Sequence, residues 1–178
     1  PQFGPDAVSY LFDEFFPLNG RIPSFLIVGD SCDFEFYKKL TNRLKNSTIR
    51  VGLATAAEAW VGENELPGIF KNGVFDTFST LLQNREVDAI IVIWDKKIKH
   101  FGLPTPDLAA LCLTGSIFHE CTRDEIVDLS YLSRKILTTG LNRPYIDGAI
   151  CQSKDVEIVN SLDQLDEKFA TLIEEFLS

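Results

Sequence analysis

One glycine and three polar residues follow a short apolar run near the start of the chain, and together they could do chemistry. The run ends at Val28, and Gly29, Asp30, Ser31 and Asp33 come after it. Glycine permits close backbone approach, and the free N–H groups at the start of a helix suit a phosphate, a carboxylate or a ribose hydroxyl. The two carboxylates would repel an anion but can hold sugar hydroxyls. The pattern predicts that these four residues bind a ligand, or else that Ser31 or Asp33 simply caps the following helix.

Another carboxylate stands directly after the strongest apolar run of the chain. The run from Val87 to Trp94 is typical of a central parallel strand covered on both faces, and Asp95 follows it. A carboxylate at the end of such a strand can bind a sugar hydroxyl or act as a general acid or base. Asp95 is therefore the predicted catalytic residue, with a solvated loop residue as the alternative. Trp94 could stack on a ring or belong to the core.

The order Gly29-Asp30-Ser31 after a strand is similar to that of the GDS-type esterases, in which Ser31 would be the nucleophile. That family also needs an Asp-x-x-His near its C-terminus. The two histidines here, His100 and His119, do not follow an aspartate by three residues. Because a serine hydroxyl without a base is a poor nucleophile, the esterase interpretation is disfavoured.

The apolar patterns alternate between strand and helix along the whole chain. Strands are predicted over 24–28, 48–54, 87–94, 135–139 and either 147–152 or 156–159, and helices over 6–16, 33–45, 75–84 and from residues 105, 122 and 161 onward. The stretch 55–73 is predicted to be irregular or to carry a short helix. This alternation predicts one domain over residues 1–178, a three-layer α/β fold with a mostly parallel, flavodoxin/Rossmann-like sheet and an added N-terminal amphipathic helix.

Composition narrows the classes of partner. The net charge of −9 disfavours a nucleic-acid polymer, since such binding depends on neutralising phosphates. No apolar run is long enough for a membrane span, and no secretory leader is visible, so a cytoplasmic location is predicted. The four cysteines form no C-x-x-C pair and no histidine stands at ligand spacing, so no metal site is predicted. The sequence names no cofactor.

The C-terminal half carries a pattern that resembles a known family. The segment Pro106–Gly115 and the loop Asn142–Gly148, followed by a helix opened at Ser161, occur in the order found in the nucleoside 2-deoxyribosyltransferase-like family. In that family the first segment opens a helix and carries the nucleophilic glutamate. The resemblance implies a flavodoxin-like sheet and makes Asp107 and Asn142 ligand contacts. The glutamate, however, falls on Leu113, which cannot form a glycosyl intermediate.

The predicted function is binding of a nucleoside, nucleotide or sugar-like molecule at the strand carboxyl ends, leaning to cleavage or transfer at an N-glycosidic bond. Asp95 would attack or stabilise the oxocarbenium-like sugar, Asp30 and Asp33 would hold hydroxyls, and Asn142 would orient the ligand. The alternatives are a non-catalytic ligand-binding or protein-interaction module and a flavin-binding protein of the same fold. The phenylalanine-rich face of the 6–16 helix suits either a homo-oligomer contact or core packing.

Overall fold

A computed structural model of the chain describes residues 22–29, 34–45, 47–94, 98, 102–105, 107–115, 121–146 and 155–178. Within these ranges the strands form one sheet. The strands are β1 (Ser24–Val28), β2 (Val51–Ala54), β3 (Ala59–Val61), β4 (Asn64–Leu66), β5 (Ala89–Ile93), β6 (Leu108–Leu113), β7 (Ser133–Thr139) and β8 (Asp155–Val159). Their order across the sheet is β4-β3-β2-β5-β1-β6-β7-β8, and β2, β5, β1, β6, β7 and β8 are parallel.

Helices cover both faces of this sheet. They are α1 (Phe34–Leu44), α2 (Val74–Leu82), α3 (Arg123–Leu132), α4 (Arg143–Ile146) and α5 (Leu162–Leu177), with a short 3-10 turn at Gly140–Asn142. Buried residues of α1 and α5 share one apolar cluster, and those of α2 and α3 share the cluster on the other face. The predicted three-layer, mostly parallel α/β fold is confirmed.

The middle of the sheet is made by the most apolar segments. Every residue of β1 is buried, and β5 lies between β1 and β2. Strands covered on both faces need continuous apolar runs, which is why these two strands were predictable.

On one face, the buried hydroxyl of Tyr37 in α1 donates to the carbonyl of Val51 at 2.9 Å, and burial raises the pKa of Tyr37 above its usual range. The hydroxyl therefore stays protonated and ties α1 to β2.

The order of the parallel strands creates a topological switch point. Counted in chain order, they run 2-3-1-4-5-6, whereas flavodoxin-like sheets run 2-1-3-4-5 and Rossmann sheets 3-2-1-4-5-6. From β1 the chain moves toward β2 at one end of the sheet, and from β6 it moves toward β7 and β8 at the other end. Because β1 and β6 are neighbours, their following connections diverge. Open α/β sheets bind ligands at the carboxyl side of such a point.

Two local predictions are wrong. The helix predicted from Thr105 is absent from 107–115, where Leu108–Leu113 forms β6 with all six residues buried. The leucines and alanines of this run suit a helix locally, but pairing with β1 and β7 and burial on both faces override that preference. The irregular stretch instead contains the hairpin β3–β4, which turns at Gly62-Glu63 with a φ of +58° at the glycine.

Other local predictions are confirmed or fall outside the described ranges. Thr122 and Glu125 form the predicted capping box, each side chain accepting from the other residue's backbone N–H. The last strand is the second of the two alternatives, at Asp155–Val159. The 6–16 helix and the 147–152 strand lie outside the described residues. No helix in the described ranges is both long and apolar enough to cross a membrane.

Candidate functional site

The carboxyl ends of β1, β5 and β6 meet at one edge of the sheet, which we call the carboxyl edge. The backbone N–H of Trp94, just after β5, donates to the carbonyl of Ile27 at 2.9 Å. The N–H of Thr114, just after β6, donates to the carbonyl of Val28 at 2.8 Å. Trp94 and Thr114 therefore flank the end of β1, and the switch point lies between Gly29 and Thr114.

Gly29 is required at this edge for a steric reason. Its φ is +148°, and a Cβ placed on it would lie 1.8 Å from the carbonyl oxygen of Thr114. No side chain fits there, because the backbone after β1 lies directly against the backbone after β6. The predicted close approach at Gly29 is thus made to Thr114 of the neighbouring strand end.

Asn142 ties the ends of β6 and β7 together. Its side chain is fully buried, and its Nδ2 donates to the carbonyls of Leu113 at 3.3 Å and Gly115 at 3.1 Å, with Thr139 Oγ1 at 3.5 Å. Two carbonyl acceptors on one side of the amide fix which atom is the nitrogen. The Oδ1 atom on the other side is buried without a hydrogen-bond partner.

Unpartnered buried polar atoms are rare in the described part of the chain, and they belong to two residues. Among the described side chains that are not exposed, the buried polar atoms without a partner are Asn142 Oδ1 and Trp94 Nε1. Both belong to residues at the carboxyl edge. Elsewhere buried groups are paired, as when Thr77 Oγ1 donates to Thr55 O at 2.8 Å. Each unpaired atom costs about 1–3 kcal/mol, so the carboxyl edge has hydrogen-bonding capacity that the described residues leave unused.

The structure brings two of the sequence-predicted site residues to this edge. Gly29 and Asn142 lie on either side of Thr114 and Gly115. Asp30, Ser31, Asp33 and Asp95 lie outside the described residues, so their predicted roles stay predictions. Asp30 is the next residue after Gly29, and Asp95 is the next residue after Trp94.

Asp107 lies at the opposite end of the sheet. It directly precedes β6, so the six residues of that strand, about 20 Å, separate it from Thr114. Arg134 Nη2 donates to Asp107 Oδ2 at 2.8 Å, and both side chains are partly exposed. The family resemblance makes Asp107 a ligand contact within a segment that opens a helix; that segment forms β6 here, which puts Asp107 at the other edge.

Two residues of this edge were not identified from the sequence. Thr114 gave no signal, since nothing local shows that Gly29 would meet its carbonyl. For Trp94 the sequence favours neither stacking on a ring nor core packing, although a buried indole N–H usually requires an acceptor. Within the described ranges, no group of three His, Cys, Asp or Glu side chains is arranged to hold a metal ion.

Comparisons with known proteins add little to this geometry. No family model matches the chain, and no curated protein is similar to it. Among solved structures it is similar to a bifunctional folylpolyglutamate synthase/dihydrofolate synthase crystallised with Mn, AMPPNP and L-glutamate, with a TM-score of 0.49 and 11% identity over 90% of this chain and 48% of that chain. The chain thus spans about half the length of that protein. A likeness this distant carries no argument about ligands.

Proposed function

We propose that the chain binds a small organic ligand at the carboxyl edge, across the switch point between β1 and β6. The observation that carries the proposal is the fully buried Asn142, whose Oδ1 has no donor among the described residues. A ligand hydroxyl or amino group would supply that donor and recover about 1–3 kcal/mol. The position agrees with the usual location of ligands in open α/β sheets.

The ligand class we propose is a nucleoside, a nucleotide or a sugar-like molecule. Such molecules carry several hydroxyl donors, and the acceptors Asn142 Oδ1, Asp30 and Asp33 are suited to them. The net charge of −9 also favours donor-rich groups over a polyanion. The resemblance to the nucleoside 2-deoxyribosyltransferase-like family agrees with this class of ligand. The resemblance itself stays a prediction, because the segment Pro106–Gly115, which opens a helix in that family, contains strand β6 here.

The reaction we propose is cleavage or transfer at an N-glycosidic bond, with the Asp95 carboxylate facing the sugar. Trp94, the residue before Asp95 in the sequence, is bonded at this edge through its N–H to Ile27 O, which supports the proposal. The bond from the anomeric carbon to the base nitrogen breaks, and the base leaves with the electron pair and takes up a proton. The carboxylate bonds to the anomeric carbon or stabilises its positive charge. Water or a second base then attacks that carbon, which releases the carboxylate, and the attacking molecule loses a proton that balances the one taken up by the departing base.

A thermal-shift screen against nucleosides, nucleotides, sugar phosphates and flavins tests the binding proposal. A ligand specific for the folded state raises the unfolding midpoint with concentration. We expect a rise with a nucleoside or nucleotide. No rise with any compound at about millimolar concentration would overturn the proposal and favour a protein-interaction module. A yellow protein stabilised by flavin alone would favour the flavin-binding alternative.

Release or exchange of the base tests the reaction. With the compound that stabilises the protein, Asp95→Asn should reduce turnover at least about a hundredfold, since this is the scale typical of a lost acid–base or nucleophilic group. Asp155→Asn is the matched control, because Asp155 is an exposed carboxylate at the amino end of β8. Equal turnover in both variants would contradict the role of Asp95 without touching the binding proposal.

A further inference from the structure

We infer that Trp94 is a second ligand-binding residue and that its indole N–H and the Asn142 carbonyl contact opposite ends of one elongated ligand. This inference rests on the proposed function and deepens it. It gives the ligand a polarity: a hydrogen-bond acceptor beside Trp94, at the end of β5, and a hydrogen-bond donor beside Asn142, at the end of β6.

Trp94 is held in place by the sheet and by the core. Its backbone N–H bonds to Ile27, and its side chain packs against the apolar cluster that contains Val92, Val28 and Leu113. A ring anchored in this way cannot turn freely to find an acceptor. Its Nε1 is nevertheless buried with no partner.

Trp60 provides an internal comparison. It stands in β3, two strands away from β5, and its Nε1 donates to Glu58 Oε2 at 3.1 Å. Among the described residues, one tryptophan thus has an acceptor and the other has none. The tryptophan that lacks the acceptor is the one beside the switch point, where a ligand could provide it.

The spacing of the two unpartnered atoms defines the length of the ligand. Trp94 follows β5, whereas the Asn142 amide lies against Leu113 and Gly115 at the end of β6, with β1 between them. Two strand spacings of about 4.8 Å place the two groups about 10 Å apart across the sheet. A molecule that reaches both must be extended, as a nucleoside or nucleotide is, and a free sugar or a single ring would reach one end only.

The indole N–H signals of the ¹⁵N-labelled protein test this directly. The protein has two tryptophans, so two signals are expected, and Trp60→Phe and Trp94→Phe assign them. The probes are adenosine, adenosine 5′-monophosphate and ribose 5-phosphate. We expect the probe that stabilises the protein most to move the Trp94 signal and slow its hydrogen exchange, while the Trp60 signal stays in place.

Binding by the two variants gives an independent measurement. Losing one neutral hydrogen bond should weaken binding about three- to tenfold in Trp94→Phe, which keeps an aromatic ring in the core, and Trp60→Phe should bind as the wild type does. Ribose 5-phosphate should stabilise the protein less than the two longer probes do.

Three results would overturn the inference. If a probe stabilises the protein but leaves the Trp94 signal and its exchange unchanged, a water or another part of the chain satisfies the indole, and only the proposed function survives. If Trp94→Phe and Trp60→Phe bind a probe equally well, the same conclusion follows. If no probe stabilises the protein, the inference and the proposed function both fail. Should Trp94→Phe not fold, the wild-type signal alone decides.

Discussion

The two edges of the sheet satisfy their polar groups in different ways. At the amino edge, exposed or half-buried charges pair with one another: Asp107 with Arg134 at 2.8 Å and Lys135 with Asp155 at 3.5 Å. At the carboxyl edge, the polar atoms of Asn142 and Trp94 are buried, and two of them have no partner. Bulk solvent reaches the charged groups of the amino edge, whereas the two unpartnered atoms of the carboxyl edge are shielded from it.

This difference distinguishes an edge whose polar groups contribute little to stability from an edge whose polar groups could bind a ligand. Exposed ion pairs contribute about 0–1 kcal/mol each, so substitutions at the amino edge should change the free energy of unfolding only slightly. The carboxyl edge combines a backbone contact that admits only glycine with unused hydrogen-bonding capacity in the interior. Such a cost is expected where a ligand completes the structure. Substitutions at the two edges should therefore differ in size and in what they affect.

The largest effect is expected at Gly29. Gly29→Ala places a Cβ 1.8 Å from the carbonyl oxygen of Thr114, and a backbone atom cannot move aside cheaply. We expect a loss of about 3 kcal/mol or more in the free energy of unfolding, measured with urea.

Gly62→Ala is the control for the glycine effect. Gly62 also has a positive φ, of +58°, but no atom lies within 4 Å of the added Cβ. Only backbone strain remains, about 1 kcal/mol. Equal losses in the two variants would show that the contact between Gly29 and Thr114 is not what constrains this edge.

Asn142→Asp should have the next largest effect. The new carboxylate cannot donate to the carbonyls of Leu113 and Gly115, so a buried charge faces two acceptors. We expect a loss of about 2–4 kcal/mol at pH 7. Asn160→Asp changes the same group at an exposed position and should cost little.

The Asn142→Asp variant should also depend on pH. Burial beside two carbonyl oxygens raises the pKa of the new carboxyl in the folded state above its unfolded value. The folded state then holds the proton more tightly, so the deficit is smallest below the unfolded pKa and grows as pH rises through the folded pKa. Urea unfolding at pH 4 and pH 7 checks this. A deficit independent of pH would mean that the side chain has turned to solvent.

Asp107→Asn should have the smallest effect. It removes a partly exposed ion pair with Arg134 at the amino edge, so stability should change by less than about 1 kcal/mol and less still at high salt. Affinity for the stabilising ligand should not change. Titration calorimetry would show otherwise if the amino edge took part in binding.

The parts of the fold that the sequence predicted are those with local signals. β5 is a continuous apolar run, and α3 opens with a capping box at Thr122. β6 is not predicted because Thr105-Pro106 has the form of a helix start. This segment forms a strand because it is buried between β1 and β7, which lie far from it in the sequence. The hairpin β3–β4 was missed because its strands are three residues each and one is polar, although Gly62-Glu63 is a recognisable two-residue turn.

The site was predicted less completely, for the same reason. Gly29 is predicted from its place after a strand and Asn142 from a family resemblance alone, and the structure puts both at the carboxyl edge, while their roles in ligand binding stay predictions. Nothing in the sequence around Asn142 indicates that its amide spans two strand ends, since its partners Leu113 and Gly115 are more than 25 positions away. Asp107 is expected near the site only if Pro106–Gly115 opens a helix, and strand β6 puts it at the amino edge instead.

Hydrogen exchange with and without the most stabilising ligand shows which edge of the sheet binds it. We expect protection to increase at the ends of β1 and β6 and in the turn Gly140–Asn142, and to stay unchanged at the amino edge around Arg50 and Arg134. Protection concentrated at the amino edge, or spread evenly over the sheet, would contradict a binding site at the carboxyl edge.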